Sequence, residues 1–278
     1  MSGSGVATLA TSSSSETNTL TSIMLDVART MGLAFEGTST GGSTTTLEDT
    51  ALEYPADYFT GGTIWITSGG NIGVCKPVKT HNGNDVSFAT MSTAIVSGIT
   101  YALANADYPK YLIKQAVLDV LRFDETLLKN DTLTITADTE QYTLPSGVSN
   151  VMKVQVASND EEPYSFTDHY YWREYDGSLI FDQGRYPTRE GYIIRLWYMG
   201  YHGVIGETET IEPTVPVKWL IWKTIENLYR KKYQHLAKNS PEQIELLNEA
   251  KENVRYAQMT AENFELRSGN PQPRFANY

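Results

Sequence analysis

Three stretches decide how this chain folds: Tyr108–Phe123, YPKYLIKQAVLDVLRF; Thr132–Val156, TLTITADTEQYTLPSGVSNVMKVQV; and Ile211–Met259, IEPTVPVKWLIWKTIENLYRKKYQHLAKNSPEQIELLNEAKENVRYAQM. In the first, Leu112, Ile113, Ala116, Val117, Val120 and Leu121 recur at helical spacing, and Pro109 is tolerated in a first turn. The second alternates as strands around a Leu144-Pro145-Ser146-Gly147 turn, with one wet face from Val148 to Val156. Further strands fall near Ser178–Phe181 and Tyr192–Tyr198. The third opens after Pro213 or Pro216 as a helix to about Leu236, then restarts at Ser240-Pro241-Glu242-Gln243. That start combines a serine cap, a proline at the first helical position and a glutamine that completes the capping box. The order is therefore a helix, a β excursion and two helices.

Upstream, Leu20, Ile23, Met24, Val27, Ala28 and Met31 predict a helix over Asn18–Met31, stopped by Gly32. Gly37–Thr46, GTSTGGSTTT, reads as a flexible polar segment. Short strands are expected at Thr63–Thr67, Val74–Val78 and Val86–Phe88, with an Asn82-Gly83 hairpin signal between the last two. These make a small β module, read as peripheral to the helices.

The element order, with Tyr142-Thr143-Leu144-Pro145 before the strand Val148–Val156 and Ile211-Glu212-Pro213 before the third helix, resembles the head–tail adaptor (connector) proteins of tailed bacteriophages. Residues 102–265 carry it. With the β module read as an insertion that the shortest members of that family lack, the expected fold is α+β: a helical core of about four helices, a small antiparallel β region and the inserted module. The chain then divides into an N-terminal arm and first helix (1–43), the inserted module (44–101), the adaptor core (102–266) and an extended C-terminal docking tail (267–278). The resemblance implies the helical core packed with a β region. It also implies a non-enzymatic virion protein with no cofactor, assembled as a ring of about twelve subunits. Its partners would be further copies of itself, the portal protein, and tail or neck proteins. Genomic DNA would pass through the ring without sequence-specific binding. The place implied is the head–tail junction, reached from the host cytoplasm, with no membrane.

Composition fits such a conduit. The net charge is −11, from 33 acidic and 22 basic residues. Tight duplex binding needs clustered Lys and Arg to displace counterions, so this chain is a poor DNA binder. A channel for sliding DNA gains from a surface that does not hold phosphates. No window reaches the roughly 18 apolar residues that span a bilayer. The N-terminal stretch MSGSGVATLATSSSSETNTL has neither basic segment nor apolar core and reads as a Ser/Thr/Gly arm.

No reaction centre is legible. Phosphate-binding, dinucleotide-binding, nucleophile-elbow and zinc-protease motifs do not occur. The single cysteine, Cys75, reads as a small buried apolar residue. His81, His169, His202 and His235 are scattered without metal-ligand spacing. Asp160-Glu161-Glu162 reads as a solvated hairpin tip, with a carboxylate pair as the sharper alternative. Tyr170, Tyr171, Trp172 and Tyr175 around His169 suit either sheet packing or a sugar-binding surface. The latter underlies the competing reading, a carbohydrate- or receptor-binding β module of a phage tail component.

The third helix carries two apolar stripes. Beside Val217, Leu220, Ile221, Ile225 and Leu228 runs a second line, Trp219, Trp222, Tyr229 and Tyr233. Either the helix is sandwiched inside its own domain, or this stripe meets another subunit. The adaptor resemblance favours the subunit contact. In the C-terminal tail, Pro271 and Pro273 favour an extended form, and Arg274, Phe275 and Tyr278 are the expected portal-docking residues.

Overall fold

A computed structural model describes residues 18–203, 205–233 and 241–267. The first helix, α1 (Leu20–Thr30), has Thr19 as its cap, whose hydroxyl accepts from the Ser22 N–H at 3.2 Å. It stops where Gly32 takes φ +67°, a conformation glycine adopts without steric cost. Six strands follow: β1 (Phe35–Thr38), β2 (Gly41–Gly42), β3 (Thr46–Glu48), β4 (Thr63–Ile66), β5 (Cys75–Asn82) and β6 (Asp85–Phe88). With β7 (Thr100–Ala104) they form one antiparallel sheet, ordered β1-β7-β4-β5-β6-β3-β2 and curled into a half-barrel.

This sheet begins at Phe35, not after residue 43, and takes in the segment read as flexible. Parts of Gly37–Thr46 lie in β1, β2 and the start of β3, and polar groups of the segment find partners far along the chain. The Ser39 N–H donates to the Ile99 carbonyl at 2.8 Å, its hydroxyl donates to the Val96 carbonyl at 2.7 Å, and that hydroxyl accepts from the Ile99 N–H at 3.1 Å. Polar residues with these bonds need no apolar side chains to be held.

Both faces of the half-barrel are covered. Ile64, Ile66, Val78, Val86, Phe88, Tyr101 and Leu103 fill its concave core. The alternate residues Trp65, Cys75, Ala102 and Ala104 join the helical core on the other side. A strand with a period of two and both faces dry reads as a continuous apolar run, and TIWI is one. The module is thus not peripheral, since Trp65, only 1% exposed, is part of the helices' own packing.

The adaptor-like part opens with α2 (Lys110–Phe123) and runs into β8 (Thr126–Thr134), β9 (Gln141–Thr143), β10 (Val151–Ala157), β11 (Phe166–His169), β12 (Trp172–Tyr175), β13 (Ser178–Phe181) and β14 (Ile193–Gly200). These make two antiparallel sheets, ordered β11-β10-β14-β8 and β12-β13-β9. A third core lies between them, with Val154, Ile194 and Leu196 on one side and Tyr142, Leu179 and Phe181 on the other. The chain then closes with α3 (Val217–Tyr233) and α4 (Pro241–Arg267). α3 packs against α1, α2 and α4. The serine cap expected at Ser240 lies outside the described residues.

The α+β expectation of a helical core with a small β region is overturned. The described residues hold fourteen strands in three sheets against four α-helices, so the chain is mostly β. Two of its three cores are built from strands. The helices stand out in the sequence because an amphipathic stripe is long and periodic. The short strands lack that signal, being two to five residues long in most cases.

Candidate functional site

Helix α3 holds the residues expected at a subunit interface, and the structure separates them. Trp219 is 7% exposed and lies in the helical core with Leu220, Ile225 and Leu228. Trp222 and Tyr229 are half-buried, packed against the same core and open on one side. The Tyr233 side chain lies outside the described residues, as do Arg274, Phe275 and Tyr278. The stripe is therefore divided, with Trp219 an internal packing residue and Trp222 and Tyr229 at the boundary of core and surface.

Between α2 and α3 runs a groove of about 210 Å3 lined by Asp119, Phe123, Asp124, Lys223, Glu226 and Arg230. Its charges are cross-linked. Glu226, almost fully buried, accepts from Lys223 at 3.3 Å and from Arg230, while Lys231 pairs with Asp119. Lys223 also reaches Asp124 at 3.8 Å. The Lys231–Asp119 and Lys223–Asp124 pairs tie α3 to α2, while the two Glu226 pairs stay within α3. Phe123, at the end of α2, is 69% exposed on the rim. On α4, Ile244 and Met259 are also exposed while Ala250 and Val254 face inward. The helical layer thus presents apolar groups outward beside a neutralised polar groove, which is the make-up of a recognition surface.

A second joint fixes this layer to the half-barrel. The Lys110 ammonium donates to the Cys75 carbonyl at 2.8 Å and to Glu207 at 2.7 Å, and Lys114 donates to the same carboxylate at 2.9 Å. The Glu207 carbonyl accepts from the Thr21 hydroxyl at 2.9 Å. Burial raises the Glu207 carboxyl, but hydrogen bonds and charge from the two lysines outweigh it and hold the group below the usual carboxylate range.

Nucleophilic chemistry finds no support at Cys75. Burial pushes its thiol up to about 12, so it carries no useful thiolate at neutral pH. The tip Asp160-Glu161-Glu162 is exposed between β10 and β11, as a solvated turn should be. The aromatic cluster splits as well. Trp172 packs on the inter-sheet core, and His169 stands edge-on to Phe181 at 4.9 Å, while Tyr170, Tyr171 and Tyr175 are exposed. Among the described residues no group of three His, Cys, Asp or Glu side chains is placed to hold a metal ion. No described helix is long and apolar enough to cross a membrane. Compared with known proteins, the chain matches no family model and no curated protein.

Proposed function

We propose that the chain is a structural virion subunit that assembles as a ring between the portal vertex and the tail of a tailed bacteriophage and extends the DNA channel. The observation that carries this reading is the order α2, a β excursion, α3 and α4, with α3 packed between α2 and α4. That is the order of elements on which the adaptor resemblance rests. The outward apolar groups Phe123, Ile244 and Met259, with the half-covered Trp222 and Tyr229, supply a surface for neighbouring copies. The net charge of −11 suits a lumen that must not grip phosphates. The portal is the proposed partner of the C-terminal residues Arg274, Phe275 and Tyr278.

The test is direct. The full chain, alone and mixed with portal rings, is run on size-exclusion chromatography with light scattering and imaged by negative-stain microscopy. Rings of about twelve copies are expected, alone or on the portal. A monomer at all concentrations that also ignores the portal would sink the proposal. Truncation after Arg267 should abolish portal capture, and undiminished capture would remove the tail from the docking role.

A further inference from the structure

The two-sheet β region holds a cleft of about 420 Å3, larger than the α2/α3 groove and independent of the ring reading. Its floor is apolar, from Ile135, Val156 and Ala157. Its mouth is polar and comes mainly from one loop between β13 and β14, which supplies Tyr186, Thr188 and Arg189. Thr167 and His169 of β11 form the opposite wall.

Arg189 is held in place but left open. Its Nη1 donates to the Ser158 carbonyl at 3.1 Å, and its guanidinium lies over the Tyr192 ring at 5.6 Å. The Nε and Nη2 edge meets no acceptor among the described residues. Arg195, in the same β region, shows what that edge does when satisfied: Nε and Nη2 donate to the two oxygens of Asp131, each at 2.7 Å. A planar guanidinium fork takes a carboxylate in this bidentate way. Although Glu190 follows it in the sequence, Arg189 forms no ion pair among the described residues, so its fork is spare.

The rest of the cleft suits a ring with hydroxyl groups. Tyr186 is half-buried against the inter-sheet core. Thr188 and Thr167 are exposed residues of the lining, and the Thr167 hydroxyl donates to the Val156 carbonyl at 3.3 Å. His169 adds a buried Nε2 with no partner among the described residues. Burial holds the imidazole below its ordinary range against the opposing effects of its bond to the Arg185 backbone and of nearby Asp182, so the ring is neutral and one of its two nitrogens accepts. We propose that this cleft binds a sugar acid, with the carboxylate on the Arg189 fork, the ring against Tyr186 and the hydroxyls on the threonines.

Isothermal titration calorimetry of the full chain tests this with three probes at equal ionic strength: glucuronate, glucose and inorganic phosphate. Glucuronate is expected to bind, with glucose and phosphate at least about tenfold weaker. Arg189→Lys keeps the charge but not the fork and should weaken glucuronate about tenfold or more. Arg189 is exposed, so this variant should melt like the parent. Arg173→Ala, exposed on β12 and outside the cleft lining, should leave binding unchanged. Equal affinity for phosphate and glucuronate would overturn the sugar-acid assignment. Unchanged binding by Arg189→Lys, or no heat from glucuronate at tens of millimolar, would overturn the site.

Discussion

Single residues set the limits of the half-barrel. The Tyr101 hydroxyl, buried, donates to Asp49 at 2.6 Å, and burial followed by that carboxylate raises the phenol well above its usual range. Gly37 makes room for the pair, because a Cβ there would lie 2.6 Å from the Tyr101 oxygen and 2.8 Å from Asp49 Oδ2. Tyr101→Phe leaves a buried carboxylate oxygen without its donor and should cost about 1–3 kcal/mol in a urea melt. His81 points the other way. It is 1% exposed, edge-on to Phe59, and neither ring nitrogen has a partner among the described residues. His81→Leu should therefore stabilise the protein or leave it unchanged, and a clear loss would reveal a partner for that ring. Cys75 gives a pH signature. The unfolded thiol ionises near 9 and the folded one near 12, so the folded state is favoured fully below about pH 9. Cys75 should then lower stability by up to about 4 kcal/mol between pH 9 and 12, and Cys75→Ala should flatten the fall between pH 9 and 10, leaving above it the part due to Tyr101.

At the scale of elements, the contest is between packing inside the protomer and contact outside it. Trp219→Ala opens a cavity in the helical core and should cost about 3 kcal/mol or more of protomer stability. Trp222→Ala, half-exposed on the same helix, should cost the protomer less and the assembly more, read as the fraction of rings at a fixed concentration. Equal loss of stability in both variants would make the whole stripe internal. The half-barrel is bound into this core through Trp65 and Cys75, which share it with α1 and α2. Deleting residues 47–99 with a short linker should therefore abolish cooperative thermal unfolding. A helical remnant that still melts cooperatively would restore the module to a peripheral place.

For the whole molecule, charge is the property that reaches furthest. At −11 the full chain should show no retention on duplex DNA at physiological salt, and tight retention would contradict a slippery conduit. What the sequence alone determined were features whose causes lie within a few residues. The stripe from Leu20 to Met31 and the glycine after it, the Asn82-Gly83 hairpin and the turn at Gly147 stand where local spacing placed them, and α2 starts one residue after Pro109, which caps it instead of opening its first turn. Cys75 is the small buried residue its alternating neighbours implied. Tertiary structure decided the rest, because its causes lie far along the chain. Within Gly37–Thr46, Gly37 and Thr38 pair with Tyr101 and Thr100, and Ser39 meets Val96 and Ile99, 57 and 60 residues away. The polar run offers no hydrophobic period to betray that. Which of the two tryptophans on α3 faces inward likewise depended on where α1, α2 and α4 come to lie, and a helical stripe records only that a face is apolar, not what covers it.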